Sequence, residues 1–288
     1  NGALKVAHCN DLDCAGGDDS INTVDSTSNR GQYSSLVLDA VDNPIISYYD
    51  DLTGKLFLAT CNDVDCADGD DAASGPVNTG DGTDNVGQYS SLALNLFDEN
   101  PTIAYYNTND GLKLVHCNNQ DCAGSQSSAL VSPAGPEYGT SLSMAIDSSS
   151  NPAIAYYDGA LGGLSIARCE DPDCSTAVTT SPVFGFTDPM DASIAIDAND
   201  LAVVSYIDNA TGPEQVVRVL RCNDLACSSP AVETPDPVAG EMPFNTSIAI
   251  DTYGNPIVSR FGSMVNSIVV VRCTNPTCLP HVRVLSAP

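Results

Sequence analysis

Residues 31–61 read GQYSSLVLDAVDNPIISYYDDLTGKLFLATC, and this cassette recurs five times along the chain. Its short β-rich runs, 35–38 and 44–49, are separated by turn residues at 39–43, which predicts a β-hairpin. A second turn at 50–54 leads into a third strand that ends at Cys61, and a weaker fourth strand follows near Val77. No segment shows the 3.6-residue apolar period of a helix. One repeat is therefore predicted to contain four short antiparallel strands.

The cysteines mark the period of the repeat. All twelve fall into pairs of the form C-x4-C, and the steps from one pair to the next are 52, 56, 52, 53 and 51 residues. The pairs are Cys9/Cys14, Cys61/Cys66, Cys117/Cys122, Cys169/Cys174, Cys222/Cys227 and Cys273/Cys278. A period of this length covering the whole chain indicates one repetitive domain, 1–288. Its units run approximately 1–30 (partial), 31–86, 87–138, 139–191, 192–245 and 246–288.

Radial repetition of four-stranded units is one way in which all-β proteins protect the edges of their sheets. The sequence therefore predicts an all-β fold, a six-bladed β-propeller with four-stranded antiparallel blades and one C-x4-C disulfide per blade. The competing architecture is a β-solenoid or another linear array, whose coils are usually shorter than this repeat.

The pattern Ser-Leu-x-Leu-Asp-x-x-x-Asn-Pro-x-Ile-Ser-Tyr-Tyr-Asp, followed by Leu-x-x-Ala, is strong in 91–106 and 142–158. It weakens in 193–208, where Asp200-Leu201 replaces Asn-Pro, and again in the last cassette, where Arg260-Phe261-Gly262 replaces Tyr-Tyr-Asp. This pattern resembles a propeller-type repeat found in many secreted bacterial and archaeal proteins of mostly unassigned function. The resemblance implies a fold and an exported setting, and it implies no reaction.

Cysteine usage indicates an extracellular or cell-surface protein, and no membrane span is predicted. An even number of cysteines, all paired by spacing, suits disulfides formed outside the cytosol. The longest apolar run, around 267–271, is strand-sized and too short to cross a bilayer. The chain starts at Asn1 without a basic and apolar leader, so we expect a mature or trimmed exported product.

The chain carries 37 acidic residues against ten Lys and Arg, a net charge of −27. Such a surface repels nucleic acid and anionic lipid, so neither is an expected partner. This negative charge is compatible with adaptation to high salt, with solubility and with many weak cation sites. We interpret most of the charged side chains as part of a solvated surface.

Two cysteines five residues apart can lie opposite each other across a hairpin connection, at the Cα separation that disulfides prefer. Zinc is the alternative, but tetrahedral thiolate sites need two pairs to converge, and pairs spread through six repeats cannot do so. The acidic turns within and after the pairs, such as 62–65 and 68–71, lack a complete calcium loop. We predict no cofactor and no metal residue, and calcium at one or two turns stays open.

No catalytic residue is predicted. The available neutral-pH bases are His8, His116 and His281, and the first two each precede a cysteine, which makes them repeat positions. Arg168, Arg221 and Arg272 also precede cysteines, so they are interpreted as structural or surface residues and not as a carboxylate clamp. The chain has no Trp, no nucleophile elbow and no phosphate loop. A carboxylate pair for glycoside hydrolysis is not marked by any motif.

The tyrosine pairs form the aromatic signal: Tyr48/Tyr49, Tyr105/Tyr106 and Tyr156/Tyr157. Adjacent strand residues face opposite sides of a sheet, so one of each pair should pack between blades while the other faces a neighbour or a channel. Inter-blade core is the main interpretation and carbohydrate stacking the alternative. Asn209 and Asn245 begin N-glycosylation sequons, which apply if the source glycosylates exported proteins.

Strand counting gives five complete sets of four and, before them, two strands at 4–9 and 21–24. A half-blade exposes unpaired backbone groups that invite edge pairing. We therefore expect a non-enzymatic extracellular structural or adhesive protein, the repeating subunit of a filamentous assembly, which self-associates or binds another extracellular protein. The alternative is a secreted glycan-binding, lectin-like propeller, and the third interpretation is an acid-pair polysaccharide hydrolase.

Overall fold

The computed structural model describes residues 3–10, 19–67, 72–124, 126–132, 138–176, 178–183, 190–209, 215–235, 243–263, 266–276, 278 and 281–285. These residues form antiparallel strands and turns, with no helix among them, which confirms the all-β prediction. The chain divides into two compact units, unit 1 (Asn1–Ala134) and unit 2 (Gly135–Pro288). The single domain predicted over 1–288 stays a prediction.

Unit 1 contains a two-stranded sheet and two four-stranded sheets, each with strands in chain order. The two-stranded sheet lies within the predicted partial repeat, 1–30. The strands are β1 (Leu4–His8) and β2 (Ser20–Asp25); β3 (Arg30–Leu38), β4 (Pro44–Asp50), β5 (Lys55–Thr60) and β6 (Ala72–Pro76); and β7 (Val86–Leu94), β8 (Pro101–Asn107), β9 (Gly111–His116) and β10 (Ser127–Leu130).

Unit 2 contains three four-stranded sheets, again with strands in chain order. They are β11 (Tyr138–Ile146), β12 (Pro152–Asp158), β13 (Gly163–Cys169) and β14 (Val178–Val183); β15 (Met190–Ile196), β16 (Ala202–Asp208), β17 (Val216–Arg221) and β18 (Ala231–Glu233); and β19 (Pro243–Ile250), β20 (Pro256–Gly262), β21 (Ser267–Cys273) and β22 (His281–Leu285). The predicted four-stranded antiparallel repeat is confirmed.

In four of the five described four-stranded sheets, an aspartate that opens the first hairpin turn fixes that turn, and in the β7–β8 turn Asn95 accepts from the Phe97 amide instead. Asp39 Oδ1 accepts hydrogen bonds from the amides of Val41 (2.9 Å) and Asn43 (2.8 Å), which pairs turn amides that the strands leave free. Three more aspartates do the same in their own repeats: Asp147, Asp197 and Asp251. The Asp of the cassette is therefore a turn-forming residue.

Within each unit, the first strands of neighbouring sheets contact each other, and a cassette serine links them. Ser35 Oγ accepts from the Leu92 amide at 3.0 Å. Ser143 and Ser193 accept in the same way from the first strand of the following sheet, at Ile194 and Ile248. The approach is close: a Cβ added at Gly87 would lie 2.6 Å from Leu56 Cα. The repeat thus places glycine and serine where one sheet meets the next.

The second strand of a sheet lies in the core. β4, β8 and β16 are buried at all seven residues, because packed side chains cover both faces of the sheet. Tyr48, Tyr49, Tyr105 and Tyr106 are all buried, so both members of the first two tyrosine pairs belong to the interior. The core interpretation of these pairs fits the structure, and of the two surroundings expected for the second tyrosine, burial fits a packed neighbour and not an open channel.

Five of the six predicted disulfides lie in the described residues, with Cα–Cα separations from 4.4 to 5.2 Å: Cys61–Cys66, Cys117–Cys122, Cys169–Cys174, Cys222–Cys227 and Cys273–Cys278. Cys14 of the sixth pair lies outside these residues. The acidic residues inside the brackets cap the turns. For example, Asp63 Oδ1 accepts from the Asp65 and Ala67 amides at 3.1 Å.

Candidate functional site

A polar contact in unit 2 joins the end of β13, the third strand of its sheet, to the turn between β11 and β12 of the same sheet. Arg168, which precedes Cys169, approaches Asp147 with Nη2 and Oδ2 3.4 Å apart. The Asp147 carboxylate already accepts from the amides of Ser149 and Asn151, so the turn holds it in place. We call this contact, and its counterparts in the next two repeats, the Asp–Arg pairs.

Arg168 leaves part of its hydrogen-bonding capacity unused. Its side chain is only 12% exposed, and its Nη1 is buried without a hydrogen-bond partner. A guanidinium offers five N–H donors in a fixed fork, and a buried donor without an acceptor is costly. The Asp147 contact therefore leaves one buried N–H group of Arg168 without an acceptor.

Arg168 lines a pocket of about 340 Å³ between neighbouring sheets of unit 2. One wall comes from the fourth cysteine repeat and carries Asp147, Asn151, Arg168, Cys169 and Glu170. The rest of the lining comes from the next disulfide turn, which supplies Leu225 and Ala226. The lining thus combines polar groups that can orient a small molecule with a small apolar surface that can pack against it.

A link between turns holds the two sides of this region together. Ser148, next to Asp147, donates to Asp200 of the following repeat from its amide (2.8 Å) and from its hydroxyl (2.7 Å). These hydrogen bonds, led by that of the Ser148 amide, hold the pKa of Asp200 below its ordinary value of 3.8. The carboxylate is therefore ionised near neutral pH, which strengthens the link.

The Asp–Arg pair recurs in both following repeats of unit 2. Arg221 Nη2 contacts Asp197 Oδ2, and Arg221 Nη1 is also buried without a hydrogen-bond partner. Arg272 Nη2 lies 3.3 Å from Asp251 Oδ2, but this arginine side chain is 58% exposed. The amide of Asn255 and further donors, including Arg272, hold the pKa of Asp251 below its ordinary value. Two of the three pairs thus combine a held carboxylate with an unused buried donor.

Unit 1 has different residues at the same strand end. Thr60 precedes Cys61, and its hydroxyl donates to Asp121 Oδ1 at 3.0 Å. His116 precedes Cys117, and its Nε2 lies 3.7 Å from Asp98 Oδ2. Thr60 therefore contacts the disulfide turn of the next sheet.

Unit 1 instead buries its arginine in a closed cluster. Arg30 contacts Asp25 at 3.0 Å and Asp50 at 3.1 Å, and Tyr48 donates to Asp25 at 2.9 Å. Burial alone would raise the pKa values of both carboxyls. Hydrogen bonds, including those from Arg30, outweigh burial and keep both pKa values below 3.8. Because each charge in this cluster has a partner, we interpret it as structural.

The remaining predicted site residues do not assemble into one centre. His8 ends β1 and His116 ends β9, while the His281 side chain lies outside the described part of the structure. Within the described residues, no group of three or more His, Cys, Asp or Glu side chains could hold a metal ion. Asn245 is exposed at its sequon, and residues 210–211 of the Asn209 sequon lie outside the described residues. Glycosylation at Asn209 and Asn245 stays a prediction.

No protein-family model matches the chain, and no curated protein matches it. Solved structures do. An exo-β-1,3-galactanase from Clostridium thermocellum aligns with TM-score 0.56 and 10% identity over 89% of this chain and 61% of its own. A protein of unknown function from Dyadobacter fermentans aligns with TM-score 0.60 and 11% identity, covering 89% and 82%. A variant of AofleA from Arthrobotrys oligospora aligns with TM-score 0.56 and 14% identity, covering 99% and 80%.

These likenesses, at low identity, show the fold alone, which is all-β and propeller-like. The chain spans only about three fifths of the galactanase. Further neighbours include an exo-β-1,3-galactanase from Phanerochaete chrysosporium solved with β-1,3-galactotriose and a β-1,3-galactosidase. The AofleA variant has three arginines replaced by alanine, at intervals of 53 residues in its chain.

The neighbours correct the functional prediction. Those whose names state an activity are glycosidases. The prediction of a non-enzymatic structural or adhesive protein, a subunit of a filamentous assembly, is therefore wrong. Self-association as such stays a prediction. No described residue lies in a helix long and apolar enough to span a membrane.

Proposed function

We propose that this protein acts on carbohydrate and binds a neutral saccharide in the pocket lined by Arg168. One observation carries the proposal: the Arg168 guanidinium, oriented by Asp147, lines a pocket together with the carboxyl groups of Asp147 and Glu170 and the apolar side chains of Leu225 and Ala226. A sugar hydroxyl can accept from the guanidinium and donate to a neighbouring carboxylate, while its C–H groups lie against the apolar side chains.

Charge argues for a neutral ligand. The pocket holds one guanidinium against the carboxylates of Asp147 and Glu170, and the whole chain carries −27. An anion would be repelled by this field, and a metal ion would meet the positive charge of Arg168. A saccharide has both donors and acceptors and carries no charge that must be desolvated.

The fold neighbours support a carbohydrate ligand. Two are galactanases, one of them solved with β-1,3-galactotriose, which places this trisaccharide first among ligands to test. Arg168 and Arg221 are 53 residues apart, the same interval as the arginines replaced in the AofleA variant. The shared interval of 53 residues is a reason to test arginines at this repeat position for ligand binding.

The test is isothermal titration of the intact chain with β-1,3-galactotriose and a panel of neutral oligosaccharides. We expect Arg168→Ala to weaken binding at least tenfold, about 1.4 kcal/mol. Arg272→Ala is the matched control, because it removes the same repeat position where the side chain is mostly exposed, and we expect less than a twofold change. Unchanged binding in Arg168→Ala would overturn the proposed site.

A second function, glycoside hydrolysis at the same pocket, is favoured by the two carboxyl groups that line it, Asp147 and Glu170. Glu170 would protonate the glycosidic oxygen as the bond to the anomeric carbon breaks, and water would add to that carbon and lose a proton to Asp147. Glu170→Gln should abolish release of reducing sugar from β-1,3-galactan while leaving saccharide binding intact. Absence of turnover by the wild-type chain on the panel would refute hydrolysis and leave the binding proposal standing.

We also propose that the propeller-like fold has six blades and that the protein works outside the cell. Six C-x4-C pairs, five four-stranded sheets and the β1–β2 sheet support the blade count. The disulfides support an oxidising compartment. An experimental structure that resolves how the sheets close would test the number of blades.

A further inference from the structure

A cluster of four tyrosine rings lies in unit 1, away from the pocket lined by Arg168. The Tyr33 and Tyr89 rings have centroids 4.5 Å apart. Each also contacts a deeper ring: Tyr33 lies 6.0 Å from Tyr49, and Tyr89 lies 6.3 Å from Tyr106. Tyr49 and Tyr106 are buried, whereas Tyr33 is 39% exposed. The cluster therefore presents an aromatic surface on a buried aromatic base.

The local backbone shows that the fold does not need tyrosine at these positions. Tyr33 and Tyr89 occupy the same irregularity in the first strands β3 and β7, with φ of 52° and 55°. The equivalent positions in unit 2 are Ser141, Asp191 and Asn245, also with positive φ. Asn and Asp tolerate this left-handed conformation better than bulky residues do. Unit 1 thus holds tyrosines where smaller residues form the same strand.

Hydrogen bonds hold the Tyr49 ring and the Tyr33 backbone in place, and the Tyr33 ring packs between Tyr49 and Tyr89. Tyr49 donates to Asn85 Oδ1 at 2.9 Å, and the Tyr33 carbonyl accepts from Ser90 Oγ at 2.8 Å. Burial, the neighbouring Tyr89 and the charge of Asp51 raise the pKa of Tyr33, so its hydroxyl stays protonated near neutral pH. A fixed ring with a neutral hydroxyl loses little conformational entropy when a ligand stacks on it.

We propose that Tyr33 and Tyr89 form a second saccharide site, on which the apolar face of one pyranose ring stacks. The exposed surface of the two rings limits the size of the ligand. It is about the size of one sugar ring and is far smaller than a protein interface, which has about 20 to 30 residues on each side. Tyrosine supplies both parts of the contact, an apolar face and a polar hydroxyl. The choice of a saccharide as the ligand rests on the proposed function. The location of this site does not depend on it.

The test uses tyrosine fluorescence, which no tryptophan obscures in this chain. Wild-type protein and Tyr33→Asn, Tyr89→Asn and Tyr33→Phe variants are titrated with β-1,3-galactotriose, each also in an Arg168→Ala background. We expect the Asn variants to lose at least fivefold in affinity at this site with an unchanged or higher melting temperature, because Asn accepts the positive φ. Tyr33→Phe keeps the stacking face and should lose less than twofold. Tyr253→Asn, which removes an isolated tyrosine that is 81% exposed, should have no effect.

The outcomes separate the two proposals. Binding that survives Arg168→Ala and is lost in Tyr33→Asn supports the second site. Binding abolished by Arg168→Ala alone, with no residual tyrosine signal, overturns the second site and leaves the pocket standing. A folded Tyr33→Asn variant that binds the saccharide as wild type does also overturns the second site. If the Tyr33→Asn variant unfolds at a lower temperature than wild type, Tyr89→Asn and Tyr33→Ala replace it in the test. Wild-type affinity in both of these variants then overturns the second site. Failure of every saccharide on the panel overturns both proposals.

Discussion

The residue before the first cysteine of each pair occupies the same place in both units, yet it makes different contacts. In unit 1, Thr60 donates to Asp121, which precedes the second cysteine of the next pair. In unit 2, Arg168 stands at the position of Thr60, and Ala226, at the position of Asp121, has no side-chain acceptor. The strand and the disulfide turn are shared, so the side chains decide whether the position is a closed contact or an open pocket.

The comparison also shows how differently the two units use arginine. Arg30 of unit 1 is shared between Asp25 and Asp50. Arg168 and Arg221 of unit 2 each have one carboxylate partner and an unused buried Nη1. An arginine that satisfies its donors internally stabilises the fold, whereas an unsatisfied buried donor costs free energy.

The largest expected effect tests the sheet spacing on which the comparison depends. Gly87→Ala would place a Cβ 2.6 Å from Leu56 Cα at a φ of 105°, so backbone must shift. We expect a loss of about 3 to 4 kcal/mol in unfolding free energy. Gly162→Ala in unit 2 is the control, because its φ is 61° but nothing lies within 4 Å, and it should cost about 1 kcal/mol. Chemical denaturation measures both, and equal losses would contradict the close contact.

The closed arginine cluster of unit 1 should depend on pH. Asp50 has a lowered pKa, so its contribution is complete above the ordinary value of 3.8 and is lost as the pH falls through the lower folded value. We expect Asp50→Asn to cost about 2 to 3 kcal/mol at pH 7. The difference should shrink in acid, because below the ordinary pKa of 3.8 the carboxyl takes up a proton on unfolding and the wild-type charge then contributes less. Denaturation at pH 7 and pH 3 measures it, and an unchanged difference would contradict the role of the charge.

Much of the fold follows from a single repeat, residues 31–86. The turn residues, the strand runs and the cysteine spacing together predict four-stranded antiparallel sheets, and each is local in sequence. The tyrosine pairs are predictable as core, but alternation alone does not decide whether the second ring meets a packed neighbour or a channel, and β4 and β8 are buried at all seven residues.

The candidate site was harder to predict because its walls are distant in sequence. Arg168 and Leu225 belong to different repeats, and only the packing of sheets brings them to one pocket. Arg168, Arg221 and Arg272 recur at one repeat position, which favoured a structural role. A binding residue can also recur, because each repeat carries the same strand end. The Tyr33 surface depends on a positive φ that strand propensity does not reveal.

Exchanging the two contact types should move the function with them. Arg168→Thr with Ala226→Asp builds the Thr60–Asp121 contact into unit 2, where it would close the pocket. We expect saccharide affinity to fall at least tenfold, about 1.4 kcal/mol, with unfolding free energy within about 1 kcal/mol of wild type. Titration calorimetry and denaturation measure the two quantities. Wild-type affinity in this folded double variant would show that the pocket position does not distinguish the units.

The smallest expected effect concerns the closed contact itself. Thr60 donates to an exposed carboxylate, so water can replace the hydroxyl, and Thr60→Val should cost only about 0.5 kcal/mol. Thr53 gives a matched control, because it donates at 2.7 Å to Asp50, which is fully buried, and Thr53→Val should cost about 1.5 to 3 kcal/mol. A double-mutant cycle of Thr60→Val with Asp121→Ala isolates the contact. A coupling energy above about 1.5 kcal/mol would mean that unit 1 depends strongly on this contact for its stability. Unit 2, which has Arg168 at the equivalent position, would then need another interaction to compensate.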